Sequence, residues 1–325
     1  MRIVWCTDIH LADRPPRGRV DDYAASIFEK LRQVAQIAGK VKAAAVVMGG
    51  DIFHVKAPIR NSHDLVRRAV EAFRGFPCPV WTILGNHDVL FAERAMYTRQ
   101  PVGVLEACGA MKILDHEKGL SALFEEEGVK VRVEGVPYDV DFAPRRLAGI
   151  RKGDEDWLLA VLHVLASKEA GNLGTERIFG YGELAQAAPA DVFLLGHYHV
   201  NQGVTRIGLE HPRWFVNVGS ISRGTLSYED LARAPSICIM DFPKPGEGVT
   251  PKFTVVKLRV AEAKLAFRVE EHEEEKAAES EMGEFVAAVG RELEIGVDLD
   301  LNAVIERLDV EVGVKETVRK YLEMA

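Results

Sequence analysis

The sequence predicts a layered α/β domain followed by a small helical region. Short apolar runs rich in β-branched residues alternate with helix-like stretches over residues 1–245, an order typical of layered α/β domains. After about residue 260 acidic residues replace the strand-like runs. A chain of 325 residues with 47% hydrophobic side chains can bury a large core. We therefore expect two domains, at 1–260 and 261–325.

The first part of the α/β domain alternates regularly between strands and helices. A strand at Ile3–Thr7 precedes a helix at about 22–38, whose ends carry Asp22 and Gly39, residue types that favour a helix start and a helix stop. The next elements are a strand at Ala43–Met48, a helix at about 62–73 and a strand at Val80–Leu84. The apolar residues of the 62–73 helix either pack on the sheet or form a dimer contact, and packing is the favoured interpretation.

The rest of the chain continues this pattern and then leaves it. Further strands are predicted at Val129–Val136, Leu158–Leu162, Val192–Leu195, Trp214–Val218, Ser236–Asp241 and Phe253–Leu258. Helices are predicted from the acidic stretch at 270–275 to about 293, at 300–309 and at 314–324. In the last helix Val314, Val318 and Leu322 form an apolar stripe, which we expect to pack on the parent domain rather than on a partner.

Charge and composition limit the function classes. The formal net charge is −8, and residues 261–325, with 18 acidic and 8 basic side chains, carry −10 of it, which leaves +2 for residues 1–260. A near-neutral body does not by itself indicate nucleic-acid binding. The four cysteines are far apart, so neither a disulfide framework nor a thiolate zinc site is expected. With no long apolar run and no charged leader, we expect a soluble, cytoplasmic protein without a membrane contact.

Polar residues follow five of the strands of the predicted domain. They are Asp8 and His10, then Asp51, then Asn86, His87 and Asp88, then His163, and finally His197 and His199. Because strand ends on one edge of an α/β domain converge, these side chains should meet in one cleft. Glycines precede several of them and allow tight turns with room for a ligand.

The residue types in this cleft favour metal binding. Two aspartates, one asparagine and four histidines form a mixed oxygen and nitrogen set that suits two divalent ions. Taken singly, each histidine could satisfy a buried carbonyl, and Asp51 could cap a helix. Five segments with the same context favour the metal site, whereas His116, His211 and His272 lack that context.

The motifs Asp8-x-His10, Gly50-Asp51, Gly85-Asn86-His87-Asp88, His163 and Gly196-His197-x-His199 resemble the calcineurin-like metallophosphoesterase superfamily over most of residues 1–225. The resemblance implies a four-layer α/β fold, a β-sandwich flanked by helices. It further implies that Asp8, His10, Asp51 and His199 hold one metal. Asp51, Asn86, His163 and His197 would hold the other, with Asp51 as the bridge. His87 would then be a catalytic acid, oriented by Asp88.

Two further segments resemble one branch of the superfamily in particular. The segment Gly49–His54 and the segment Asn217–Arg223 look like the SbcD-type and phage recombination nucleases of DNA repair, with Val218 where proline is usual. The resemblance implies DNA as substrate and an SMC-like ATPase as partner, bound through the C-terminal helices. It also implies a possible homodimer and a role for His54 in exonuclease action, although His54 could face either the cleft or solvent.

Several alternatives stay open at this point. Manganese is the expected metal, but iron, zinc, nickel and magnesium fit the same ligand types. The arginines of the loop at 14–19 and Arg60 contact phosphates or form ordinary surface. A small-molecule phosphodiesterase or phosphatase could use the same ions, and a scaffold that has lost catalysis is a further possibility. The intact ligand set argues against the scaffold.

Overall fold

The computed structural model describes residues 1–16, 18–90, 93–209, 211–224, 227–246, 249–269 and Lys315. By internal contacts the chain divides into two compact units, Met1–Ala266 and Phe267–Ala325. The predicted helices at 270–293, 300–309 and 314–324 lie outside the described residues apart from Lys315. The roles expected of region 261–325 therefore stay predictions.

Within the described ranges the chain forms fifteen strands and six α-helices. In chain order the strands are β1 (Arg2–Cys6), β2 (Ala45–Met48), β3 (Val80–Thr82), β4 (Lys112–Ile113), β5 (Ser121–Glu126), β6 (Val129–Val136), β7 (Trp157–Val164), β8 (Ala166–Ser167), β9 (Gly171–Leu173), β10 (Glu176–Gly180), β11 (Val192–His197), β12 (Gly203–Ile207), β13 (Arg213–Asn217), β14 (Ser236–Asp241) and β15 (Lys252–Lys257). The helices are α1 (Tyr23–Lys40), α2 (His63–Arg74), α3 (Pro101–Ala107), α4 (Tyr181–Ala187), α5 (Tyr228–Ala232) and α6 (Ala263–Ala266). Each of these helices is too short or too polar to cross a membrane.

Two six-stranded sheets form the body of the first unit. Their strand orders are β15-β14-β1-β2-β3-β4 and β12-β13-β11-β7-β6-β5. In the first sheet β1 to β4 are parallel neighbours, and in the second β6, β7, β11 and β13 are parallel. The carboxyl ends of these parallel strands therefore share one edge in each sheet.

Alternating side chains place these sheets in the middle of four layers. Trp5 and Val47 of the first sheet pack against Leu159 and Leu194 of the second in a shared core. Their sequence neighbours point the other way, because successive residues of a strand face opposite sides. The outer face of the first sheet packs on α1 and α2, and the outer face of the second packs on α4. The predicted four-layer sandwich is confirmed.

Nine strands and the two long helices α1 and α2 were predicted to within about two residues, but six strands and the short helices α3 to α6 were not. Asp22 caps α1 as expected, with its side chain accepting from Ala25 N, while the helix runs one residue past Gly39. The favoured packing of α2 is confirmed, since Leu65 and Phe73 are buried in the core between the first sheet and the helices α1 and α2. Strands β4, β5, β12 and the three of the small sheet β8-β10-β9 were missed, because they are very short or largely exposed.

Candidate metal centre

The predicted metal ligands lie where the carboxyl edges of both sheets meet. Asp8 and His10 follow β1, and Asp51 follows β2. Across the sandwich, His163 lies near the end of β7, and His197 ends β11. The convergence expected from the order of strands is therefore seen in the structure.

The backbone at these positions turns sharply. The φ angles are 55° at Asp8, 52° at His10, 52° at Asp51 and 81° at His197. Non-glycine residues rarely adopt this left-handed conformation, and it concentrates at functional sites where the surroundings enforce it. The strain indicates that these residues are held in place for the position of their side chains rather than for local stability.

Two glycines allow the loops after β2 and β3 to approach each other closely. Gly50 has a φ of +91°, and a Cβ atom there would lie 2.6 Å from the backbone nitrogen of Gly85. A Cβ atom on Gly85 would likewise collide with the backbone and side chain of Asp51. This contact brings Asp51 beside the Asn86–His87 segment, and His87 N donates to Asp51 Oδ1 at 2.7 Å. Side chains at either glycine would separate the two loops.

The first group of candidate ligands is formed by Asp8, His10, Asp51 and His199, whose ligand atoms all lie within 4.8 Å of one another. His10 Nε2 is 3.1 Å from His199 Nε2 and 3.6 Å from Asp51 Oδ2. His199 Nε2 is 3.8 Å from Asp8 Oδ1. Two nitrogens and two carboxylates thus point at a common centre.

The second group is formed by Asp51, His163 and His197, with Asn86 beside them. His163 Nε2 lies 3.0 Å from Asn86 Oδ1 and 3.5 Å from Asp51 Oδ2. The other ring nitrogen of His163, Nδ1, is 2.6 Å from the carbonyl oxygen of Gly49. That bond aims Nε2 at the centre of the group. Asp51 belongs to both groups, as a bridging carboxylate would.

These donors fit divalent metal ions. Imidazole nitrogens suit first-row transition metals, and carboxylate and amide oxygens suit harder ions such as manganese and magnesium. Each group offers both kinds of donor on buried or half-buried side chains. The structure brings the side chains of these groups together, while the ligand assignments implied by the family resemblance and the metal itself stay predictions.

A third cluster consists of His10, His54 and His87. One ring nitrogen of each lies within 4.8 Å of the other two. The rings of His54 and His87 stack with centroids 5.2 Å apart, and His54 Nδ1 is 3.3 Å from His10 Nδ1. His54 therefore faces the cleft, which the sequence had left open. His87 Nδ1 is 2.5 Å from the carbonyl oxygen of His54, so its Nε2 remains available to a substrate.

The predicted role of Asp88 needs a correction. Its carboxylate does not contact the His87 ring but accepts from Ile52 N at 3.0 Å and from Gly85 N at 2.9 Å. The ring of His87 is oriented instead by the backbone of His54. Asp88 thus holds the loop after β2 against the loop after β3, and it supports the site through the backbone.

Burial and neighbouring charges shift the pKa values of the candidate ligands. Burial alone raises the pKa of Asp51, but the charge and the hydrogen bond of His163 outweigh it and hold that pKa well below its usual range. Burial alone lowers the pKa of His163, yet Asp51 raises it to about 9. Burial, offset only in part by Asp51, holds the pKa of His10 well below its usual range. Burial also lowers the pKa of His197, with His163 adding to the effect.

Several residues that support the ligands were not predicted. Thr7 Oγ1 donates to Asp8 Oδ2 at 2.8 Å, and Ser220 Oγ donates to the carbonyl oxygen of Asp8 at 2.8 Å. The ring of Tyr138 lies 5.6 Å from that of His197, and Glu176 Oε2 is 3.0 Å from His197 Nε2. Only Ser220 had a signal in the sequence, as part of the Gly-Ser loop.

The arginines expected near the cleft differ in their exposure to solvent. Arg14 and Arg60 are exposed, which leaves phosphate contact open for them, and Arg17 lies outside the described residues. Arg19 is buried, pairs with Asp21 at 2.6 Å and donates to the carbonyl oxygen of Arg223 at 2.6 Å. Arg19 is therefore part of the folded core and not a contact for substrate.

Known structures resemble this fold at low sequence identity. A NAD nucleotidase from Haemophilus influenzae aligns with a TM-score of 0.46 and 12% identity over 78% of this chain and 49% of that one. A dimetal phosphatase from Danio rerio aligns with a TM-score of 0.46 and 11% identity over 74% and 92%. An archaeal phosphodiesterase aligns with a TM-score of 0.38 and 15% identity over 79% and 100%.

Sequence comparison gives the family directly. No curated protein sequence matches this chain. The family model described as calcineurin-like phosphoesterase matches residues 1–201, which is more than half of the 325 residues. The matched range contains all seven candidate ligands. The chain belongs to the calcineurin-like phosphoesterase family.

Proposed function

We propose that this chain is a two-metal phosphodiesterase whose substrate is DNA. The observation that carries the proposal is the pair of ligand groups that share Asp51. Two bound divalent ions, for which we propose manganese, would supply Lewis acidity to the phosphoryl group and to the attacking water. Asp8, His10, Asp51 and His199 would hold one ion, and Asp51, Asn86, His163 and His197 the other.

His87 is suited to act on the leaving group. It belongs to neither ligand group, yet the centroid of its ring lies 4.8 Å from the centroid of the His10 ring. Nδ1 donates to the carbonyl oxygen of His54, so the imidazolium form of His87 carries a second proton on Nε2. It can pass that proton to the departing oxygen and is left as neutral imidazole. His54 is stacked on His87 and in this proposal helps to place the DNA end.

A cleft beside the second ligand group supports a diester as substrate. Its volume is about 470 Å³, and His163 and His197 form one wall. Tyr138, Phe142 and Phe179 line the rest of it together with charged residues. A phosphate held by the ligand groups could therefore carry a bulky second substituent into this cleft.

DNA is favoured by the resemblance of the Gly49–His54 segment to repair nucleases and by the position of His54 in the cleft. The SMC-like ATPase partner, bound through the C-terminal helices, and a homodimer belong to the same proposal. Both rest on that resemblance. A role in DNA repair or recombination would follow from them.

A small-molecule phosphodiester is the second candidate, and the charges of the cleft favour it. Asp139 pairs with Arg146, Glu176 with His197, and Arg177 with Glu183 at 2.7 Å. Arg177, the one arginine or lysine among the lining residues, is thus already paired. Such a wall suits a neutral substituent better than a second phosphate of a DNA strand.

A comparison of substrates separates the two candidates. The wild-type chain, Asp51→Asn and the control Asp64→Asn would be incubated in manganese with double-stranded DNA, single-stranded DNA and bis(p-nitrophenyl) phosphate. Asp64 is an exposed aspartate of α2 that belongs to neither ligand group, so its variant tests the loss of a carboxylate outside the site. We expect the wild type and the control to cut DNA and the small diester, and Asp51→Asn to cut neither.

Hydrolysis of the small diester alone would reject DNA as the substrate and leave the second candidate. Full activity of a folded Asp51→Asn chain, as judged by circular dichroism, would reject the two-metal mechanism. Absence of any turnover by the wild type would favour the scaffold.

A further inference from the structure

We propose that Glu176 is a positioning residue that fixes the ring of His197 for the second metal ion. This inference rests on the proposed function, because it assigns Glu176 a role in the same site. The residue lies outside every motif that identified the ligands, and it is contributed by the small sheet rather than by either large one.

The hydrogen bond decides which nitrogen of His197 can bind a metal. Glu176 Oε2 is 3.0 Å from His197 Nε2, and a carboxylate accepts a proton from the ring. A neutral imidazole has one donor and one acceptor nitrogen, so Nε2–H leaves the lone pair on Nδ1. Metal-bound histidines commonly donate their other ring N–H to a carboxylate or a carbonyl, which fixes both tautomer and orientation.

His163 shows the same arrangement with the two nitrogens exchanged. Its Nδ1 bonds to the carbonyl oxygen of Gly49, and its Nε2 faces Asn86 and Asp51. Each histidine of the second group is therefore anchored by the nitrogen that the ion would not use. For His163 the anchor is a buried backbone carbonyl, whereas for His197 it is a side chain.

The backbone of His197 is already fixed, so the ring is what Glu176 controls. The backbone nitrogen of His197 is 3.2 Å from Asp8 Oδ1, and its φ of 81° lies in the left-handed region. The ring contacts Tyr138 at 5.6 Å and His163 at 4.9 Å by centroids. These contacts limit tilt but do not select a tautomer, which the bond to Glu176 does.

Glu176 begins β10, which pairs with β9 in an exposed hairpin. Its side chain is 58% exposed, against 14% for His197. The next residue, Arg177, stacks on Phe179 at 4.8 Å. Its ion pair with Glu183 is solvent-exposed, with the arginine side chain 58% exposed, and such a pair adds little stability. The second ligand group thus depends on a carboxylate from the surface, and the hairpin is part of the metal site.

Manganese binding to the full-length, metal-free chain tests this role. Ions bound per chain and their affinities would be measured by titration calorimetry for wild type, Glu176→Ala and Glu176→Gln. The control is Glu183→Ala, which removes a neighbouring carboxylate that contacts Arg177 instead of the histidine. Low-temperature electron paramagnetic resonance would report the spin-coupled manganese pair directly.

We expect Glu176→Ala to weaken the second ion by about 10- to 100-fold, to leave the first unchanged and to lose the coupled-pair spectrum. Glu176→Gln keeps an acceptor oxygen and should retain most of the affinity, while Glu183→Ala should match wild type. Equal or tighter binding of the second ion by Glu176→Ala would overturn the proposal, as would an equal loss in Glu183→Ala.

The same titration separates this inference from the proposed function. A selective loss of the second ion in Glu176→Ala, in a chain whose wild type cuts no phosphodiester, would support the positioning role and reject the phosphodiesterase. A wild type that binds fewer than two ions would overturn both.

Discussion

The two ligand groups share Asp51 but are built in different ways. In the first group Asp8 and His10 come from one tight turn after β1 and are buried. Thr7, Ser220 and the backbone of His197 hold Asp8 from three sides. The second group combines the buried His163 of β7 with a histidine whose partner lies on an exposed hairpin. Apart from the 41% exposed side chain of His199, the first group is thus held by buried contacts, whereas the second depends in part on a surface carboxylate.

The two groups also differ in the protonation of their histidines. Burial keeps the pKa of His10 low, so its ring is neutral and ready for an ion. In the second group Asp51 raises the pKa of His163 to about 9, and at neutral pH the two form an ion pair. An ion entering the second group must displace that proton, because metals bind neutral imidazole. We infer that the first group fills before the second.

Removing one ligand from each group should produce the largest effect. Asp8→Ala is expected to abolish binding at the first group, and His163→Ala at the second. Because the proposed mechanism needs both ions, each variant should hold one manganese per chain and lose diester hydrolysis to background. Metal analysis after gel filtration, together with bis(p-nitrophenyl) phosphate turnover, measures both quantities. Two ions in either variant would break the division into groups.

Replacing His87 should separate chemistry from metal binding. In His87→Ala we expect kcat to fall by about 10²- to 10⁴-fold, the usual contribution of a general acid, with two ions still bound. His63, an exposed histidine at the start of α2, gives the control His63→Ala. A diester with a better leaving group should lose less activity, since it needs less protonation. Loss of a metal ion in His87→Ala would place His87 among the ligands.

A pH series should distinguish the groups by about tenfold in affinity per pH unit. The folded pKa of His163 is raised from 6.5 to about 9, so its ion pair stabilises the metal-free fold fully below about pH 6.5. That stabilisation is lost as the pH rises through about 9. Over this window manganese should bind the second group more tightly, by up to about tenfold per pH unit, with release of about one proton.

Calorimetry of manganese binding at pH 6.5, 7.5 and 8.5, in buffers of different ionisation enthalpy, counts the protons released with each ion. Affinity for the first ion should change less, because His10 carries no proton to displace. Equal pH dependence of both ions would contradict the difference in protonation between the groups.

The smallest effect is expected for His54→Ala. The carbonyl oxygen that orients His87 belongs to the backbone and survives the substitution, so hydrolysis of the small diester should fall less than in His87→Ala. If His54 places a DNA end, the loss on double-stranded DNA should exceed the loss on the small diester. Equal losses on both substrates would remove the assigned role of His54.

The sequence predicted the ligand set because each ligand follows a strand and one edge collects the strand ends. His10 and His199 could be placed in this way without coordinates. Glu176 could not, because it comes from a short two-stranded hairpin in which β9 and the start of β10 are exposed and lack an apolar pattern. Asp88 was assigned the wrong contact, because its position next to His87 in sequence gave no information on which backbone groups its carboxylate would reach.

Among the strands, too, some could be predicted from the sequence and others could not. Strands such as β6 and β14 were predicted with their observed bounds, because β6 alternates valines with polar residues and β14 is a short, largely apolar run, and both patterns are typical of strands. Strand β5 alternates with exposed residues and ends in two glutamates, so pairing with β6 and not composition decides its conformation. Left-handed φ angles at Asp8 and Asp51 carry no signal in the residue type and are imposed by the surrounding loops.

Stepwise loading of the metal-free chain with manganese tests the central claim most directly. Ions bound per chain and turnover of bis(p-nitrophenyl) phosphate would be followed together at pH 7.5. The two-metal account predicts two ions per chain, with activity that stays near background through the first equivalent and rises with the second. Full activity after one equivalent, or activity that persists in the presence of a chelator, would contradict it.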